Sequence, residues 1–232
     1  IRALQAIARA GVDANVSIKL TAMGLASDAD FCYRNVRRIV AKADEVGRFV
    51  RIDMEDTPVT DRTLAIYRRL RQDYDNVGVV VQAYLYRTQE DVRQLLAAGM
   101  ADLRLCKGAY DEPPAVAFQD KTDVDRNMIE LIKIMLEGQP SHPDAYLAIA
   151  SHDHRIINWT KAYAYNRQIA NDRFEFQMLY GIRRDLQQEL ANQGYRMRVY
   201  IPYGTRWYPY FMRRLAERPS NLLFFLRALA GQ

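Results

Sequence analysis

The feature that most constrains this chain is the regular alternation of short strand-like runs with longer helix-like ones. Seven runs rich in β-branched, aromatic or aliphatic residues recur along it: VSIKL (16–20), FVRIDME (49–55), GVVVQAY (78–84), DLRLCKG (102–108), AYLAIAS (145–151), FEFQMLY (174–180) and MRVYIPY (197–203). The segments between them have helical spacing of apolar residues. Ser27, Thr60 and Thr88 read as N-caps, and Gly47, Gly99 and Gly194 fall where helices should end. Such alternation specifies a parallel sheet with right-handed crossovers. A closed barrel of these units has eight strands. The opening residues, IRALQAIARAG, read as a helix. The expected architecture is therefore α/β: a distorted (βα)8 TIM-type barrel, one domain over residues 1–232, with the first strand missing from its N-terminal side. An open doubly wound sheet is the competing arrangement. It usually carries a Gly-x-Gly-x-x-Gly phosphate loop after its first strand, and the sequence has none.

With 232 residues, 49% of them hydrophobic, the chain can bury a large core and is not globally disordered. No apolar run reaches the roughly 18 residues of a membrane span, and no secretory signal pattern is seen. Cys32 and Cys106 are too few and too far apart for a disulfide framework or a metal site, which fits a reducing cytoplasm. A net charge of +5 permits a nucleic acid or an anionic membrane face as partner. The arginines are, however, dispersed among the acidic residues, as on an ordinary solvated surface.

Side chains alternate faces along a strand. One phase is apolar and should pack on the helices: Ile18, Ile52, Val79, Val81, Leu103, Leu105, Leu147, Ile149, Phe174, Phe176, Val199 and Ile201. The other phase carries Lys19, Arg51, Asp53, Glu55, Gln82, Arg104, His152, Glu175, Gln177, Arg198 and Tyr200. Barrel interiors of this class are mostly aliphatic, and buried charges are costly unless paired or ligand-bound. Arg51, Glu55, Glu175 and Arg198 fit ion pairs low in the barrel. Lys19, Asp53, Gln82, Arg104, His152 and Tyr200 come late in their strands, at the end where such barrels build active sites.

Several chemistries remain open on the residues alone. Lys19 suits a Schiff-base nucleophile, an anion binder or a partner for an interior acid. Asp53 suits orientation of an amine or pairing with Arg104. Gln82 and Arg104 suit the edge of a flat heteroaromatic ring, and Lys107, Gly108 and Ala109 offer a close backbone approach at a strand end. His152 is a base or ligand candidate, but the three histidines show no metal-ligand spacing. Arg213 and Arg214, beside Trp207, Tyr208 and Tyr210, form either a bidentate clamp for a carboxylate or two surface residues with Glu217 as a helical partner.

Seven motifs in order, VSIKLTAMG, RIDMEDT, VVVQAYLYRT, LRLCKGAYDEP, IASHD, FEFQMLYGI and YIPYG with WYPYFMRRLAERPSN, resemble the flavin-dependent proline dehydrogenases of the monofunctional bacterial type. The resemblance implies a barrel binding FAD that oxidises L-proline to 1-pyrroline-5-carboxylate, with hydride passing from proline C5 to the flavin N5 and electrons going on to a membrane quinone. It implies that Arg213, Arg214 and Lys19 bind the substrate, with Tyr200, Tyr210 and Leu179 around its ring. Asp53 and Arg104 would lie nearest the chemistry, Arg104 beside the flavin N5. Met54, Gln82, Lys107, Gly108, Ala109, Ser151, His152 and Glu217 would contact the cofactor. No metal is implied. A cytoplasmic protein making transient peripheral membrane contact through the apolar run Leu222–Leu226 is compatible with this. The rival readings are an aldolase using Lys19 or Lys107, and a basic nucleic-acid-binding module.

Overall fold

Seven parallel strands pair in their sequence order within one sheet. The computed structural model describes residues 1–204. The strands are β1 (Val16–Lys19), β2 (Val50–Asp53), β3 (Val77–Gln82), β4 (Asp102–Cys106), β5 (Tyr146–Ala150), β6 (Phe174–Leu179) and β7 (Arg196–Tyr200). A helix, α1 (Arg2–Ala10), precedes them, and α2 (Ala29–Glu45), α3 (Thr57–Arg71), α4 (Thr88–Ala97), α5 (Lys121–Gly138), α6 (His154–Asn166) and α7 (Arg184–Asn192) connect them in turn. All seven expected strands are present, each ending short of its expected C-terminal residue and β3 and β7 beginning one residue early, in a curled partial barrel. Among the described residues, β1 and β7 each pair on one side only.

Three helices start on capping carboxylates: α2 one residue after the expected Ser27, and α5 and α6, for which the sequence named no cap. Asp28 accepts from the Phe31 amide at the head of α2, Asp120 from Thr122 at α5, and Asp153 from Arg155 at α6. A charged acceptor suits the positive end of a helix better than a neutral one. Pro58 in the first turn sets the start of α3 ahead of Thr60, which lies inside the helix. Thr88 is the first residue of α4, and its hydroxyl donates to the Gln82 carbonyl at 2.6 Å. The helix ends fall as expected, with left-handed backbone at Gly47, Gly99 and Gly194.

The apolar phase of β1 through β6 is buried throughout and forms one core with the helices. β7 departs from this. Its pairing with β6 stops at Tyr200 opposite Leu179, so Ile201 lies past the ladder and is 63% exposed. The polar phase lines the concave interior, where small residues make room for long ones. Arg104 is flanked in register by Val80 and Ala148, and Arg51 by Gly78. A Cβ on Gly78 would lie 2.3 Å from an Arg51 nitrogen and 2.6 Å from the Asp102 carbonyl oxygen, so glycine is required there for close approach.

Candidate active site

Arg104 stands in the middle of β4 with its side chain directed into the interior, where an unpaired guanidinium would be prohibitively costly. It is only 7% exposed. Its Nε donates to Gln177 Oε1 at 2.6 Å, Nη1 to Asp53 Oδ1 at 2.9 Å and Nη2 to Ser17 Oγ at 2.9 Å. Its guanidinium also lies 5.5 Å from the centre of the Tyr200 ring. These partners come from β6, β2, β1 and β7, so side chains of five strands meet at one cation, which only a curled sheet permits. Burial, and then the nearby Arg51 charge, push Arg104 below the ordinary arginine value, while Asp53 opposes them. The group remains a fixed cation at neutral pH.

The other oxygen of Asp53 accepts from Lys19 Nζ at 3.0 Å. One nearly buried carboxylate thus joins an interior cation to a rim cation, since the Lys19 side chain is 44% exposed. Partial burial works against the Lys19 ammonium, but Asp53 outweighs it and holds the lysine above its ordinary value. Tyr110, in the loop after β4, shares this electrostatic neighbourhood: its phenol is raised by burial and interacts with Lys19, Glu55 and Asp53. The sequence reading did not single out Tyr110. The signal available was an aromatic directly after the Lys-Gly-Ala strand end.

Around this centre the strand ends form a rim. Met54 follows β2 and is buried. Gln82, at the end of β3, donates from Nε2 to the Glu55 carbonyl at 2.9 Å. Lys107, Gly108 and Ala109 follow β4. Gly108 has φ of 116°, and a Cβ there would lie 2.3 Å from the Tyr84 ring, so the chain crosses that ring as bare backbone. Ser151 and His152 follow β5; the Ser151 hydroxyl accepts from the Asp153 amide at 3.1 Å. Lys107 pairs with Asp125 and, at 2.9 Å, with Asp153. Leu179, at the end of β6, is half-buried beside Tyr200 in register. A bare peptide at Gly108 on this rim, an amide at Gln82 and a buried cation at Arg104 fit a planar cofactor that gains negative charge on reduction.

Lower in the barrel, Arg198 donates from Nε to Glu175 at 3.0 Å, as the strand phase predicts. The other two expected ion-pair members behave differently. Arg51 pairs with Asp102 at 2.5 Å, the acid its side chain meets at the foot of β4. Glu55 lies past the end of β2 and accepts from the Thr21 amide at 3.0 Å and the Thr21 hydroxyl at 2.6 Å. A cavity of about 1120 Å³ lies between α1, β1 and β7 and reaches Arg104, Gln177 and Tyr200 from below. The rim at Lys107–Ala109 does not line it, so the chemistry is placed by the side-chain geometry rather than by this cavity. Tyr210, Arg213, Arg214, Glu217 and the Leu222–Leu226 run lie outside the described residues.

Fold and site together define an α/β barrel-type enzyme whose polar groups gather at the C-terminal ends of its strands. The chain belongs to the proline dehydrogenase family: the family profile described as proline dehydrogenase matches residues 2–227. It is 46% identical over 229 residues to proline dehydrogenase 1 of Bacillus subtilis (strain 168), covering 98% of this chain and 74% of that one. Against the proline dehydrogenase of Deinococcus radiodurans the identity is 45% over 234 residues, covering 99% and 74%. The crystal structure of proline utilization A from Bdellovibrio bacteriovorus inactivated by N-propargylglycine superposes with a TM-score of 0.79 at 30% identity, over 87% of this chain and 24% of that polypeptide. This chain therefore spans about a quarter of that larger protein.

Proposed function

We propose that this protein oxidises L-proline to 1-pyrroline-5-carboxylate, the first step of proline breakdown, using FAD and passing electrons on to a membrane quinone. The observation that carries the reading is the Lys19–Asp53–Arg104 chain, in which one carboxylate fixes two cations at the strand ends. The reaction removes a hydride from C5 and a proton from the ring nitrogen, leaving a C5–N double bond. Bound FAD supplies the two-electron acceptor. Arg104, held rigidly by three side chains, would offer a fixed positive charge to a cofactor that becomes more negative on reduction. Lys19 adds a cation for the substrate carboxylate, whose main clamp is Arg213 with Arg214. Leu179, Tyr200 and Tyr210 wall the proline ring, so that binding orients the reacting C–H bond. Met54, Gln82, Lys107, Gly108, Ala109, Ser151, His152 and Glu217 hold the cofactor. The reading takes residues 1–232 as one barrel domain, in a cytoplasmic protein that meets the membrane peripherally. Among the described residues, no helix is long and apolar enough to cross a membrane.

The lysine chemistries fare worse on the geometry. A Schiff-base nucleophile must be a neutral amine, yet Lys19 is ion-paired and held above its ordinary value. Lys107 sits between two carboxylates. The test is to supply FAD, L-proline and an electron-accepting dye and to identify the product by mass. A product two hydrogens lighter than proline, formed about 10²-fold more slowly by Asp53→Asn, is expected. No product from flavin-loaded protein, with a borohydride-trapped lysine adduct on a carbonyl substrate, would replace this reading with an aldolase.

A further inference from the structure

The polar interior does not end at Arg104. Gln177 Oε1 accepts from Arg104, and Gln177 Nε2 donates to Glu175 Oε1. Glu175 also accepts from Arg198 Nε at 3.0 and 3.2 Å and from the Tyr146 hydroxyl at 3.5 Å. Gln177 and Glu175 are each 4% exposed. An unbroken line of side chains therefore runs through the barrel: Arg198, Glu175, Gln177, Arg104, Asp53, Lys19.

The chemistry of this line leaves Gln177 one orientation. A guanidinium can only donate and a carboxylate can only accept. The amide oxygen must therefore face Arg104 and the amide nitrogen must face Glu175. Glu175, pinned in turn by Arg198 and Tyr146, decides which way the amide points. We infer that Gln177, oriented by Glu175, is a positioning residue that fixes the rotamer of Arg104 and so aims its Nη atoms at Asp53 and the rim. The inference rests on the proposed proline oxidation for its kinetic readout, but its geometry stands apart from it.

A glutamate at position 177 tests the logic because its two protonation states differ. Protonated, the carboxyl donates to Glu175 and accepts from Arg104, reproducing the amide. Ionised, it still meets Arg104 but stands against the Glu175 carboxylate. The charged and titratable groups around it are Arg104 on β4, Glu175 on its own strand, Arg198 and Tyr200 on β7, Tyr146 on β5 and Asp53 on β2. Moving the acid, by Gln177→Glu with Glu175→Gln, removes the like-charge pair while keeping an acceptor for Arg104.

The experiment measures kcat and KM for L-proline across pH in the flavin-loaded full-length protein, with the Arg104 Nε–H signal followed by NMR. Gln177→Met is expected to lower kcat/KM about 10–100-fold, the scale seen when a group that orients a metal ligand is removed, and to lose the slowly exchanging Nε–H signal. Gln177→Glu is expected to approach wild-type activity as pH falls and to diverge as it rises, and the double variant to lose that extra pH dependence. If Gln177→Met does not fold, Gln177→Glu alone decides. An activity ratio to wild type that is constant with pH, or an Nε–H signal unchanged in Gln177→Met, overturns the inference. Wild-type protein that leaves proline unoxidised would refute the proposed reaction, while the NMR signal would still decide the positioning.

Discussion

At the scale of single residues, Asp53 ties the site together. It is 8% exposed and bonded to two cations. Asp53→Ala leaves Arg104 buried without its counter-charge and should cost about 3–5 kcal/mol in denaturant unfolding. Because Asp53 holds Lys19 above 10.5, the ion pair's contribution is complete below that ordinary value and is lost as pH rises through the raised one. In Asp53→Asn, Lys19 should therefore acylate faster than in wild type at pH about 9, read by peptide mass mapping; unchanged labelling would contradict the pairing. Most of this centre was legible in the sequence. Strand phase alone put Lys19, Asp53, Arg104, Glu175 and Gln177 on one face. Ser17 and Tyr110 were overlooked: Ser17 shares the phase of Lys19 but looks like a neutral filler, and Tyr110 acts from a loop, where period-2 reasoning has no hold.

At the scale of elements, two glycines and one cap carry testable weight. Gly78→Ala drives a Cβ onto Arg51 and the Asp102 carbonyl, and the carbonyl, being ladder backbone, cannot yield. A loss of about 1–3 kcal/mol is expected. Gly108→Ala meets the Tyr84 ring at a φ of 116° and should cost a similar amount, with weaker FAD retention as the second readout. Asp153 caps α6 and pairs with Lys107, Lys121 and Arg155. Burial raises its carboxyl, but Arg155 and Lys107 prevail and hold it well below the usual carboxylate range. Its contribution is thus complete above the ordinary value of 3.8 and is lost as pH falls through the depressed one. Asp153→Ala should cost about 1–2 kcal/mol at neutral pH, and the gap to wild type should narrow in acid. Two helix starts were misread in the sequence: at α2 the carboxylate of Asp28 takes the capping position next to Ser27, and at α3 Pro58 sets the start ahead of Thr60. The ion pairs low in the barrel were half legible: phase names the face a charge shares, whereas the height at which β4 begins gave Arg51 to Asp102.

At the scale of the whole molecule, seven parallel strands in sequence order curl until one guanidinium touches β1, β2, β6 and β7. Strand order and direction were readable from the alternation. The curl was not, because it depends on small residues such as Gly78 and Ala148 lying beside large ones across strands. The curl is what turns scattered charges into a site, and the proposal to test is that this site oxidises proline with bound flavin. The most direct measurement is an anaerobic titration of the flavin-loaded protein with L-proline, followed by visible absorbance. The account predicts bleaching of the oxidised flavin bands by L-proline and not by D-proline, greatly slowed in Arg104→Gln. Flavin bands that stay oxidised at saturating L-proline would contradict it.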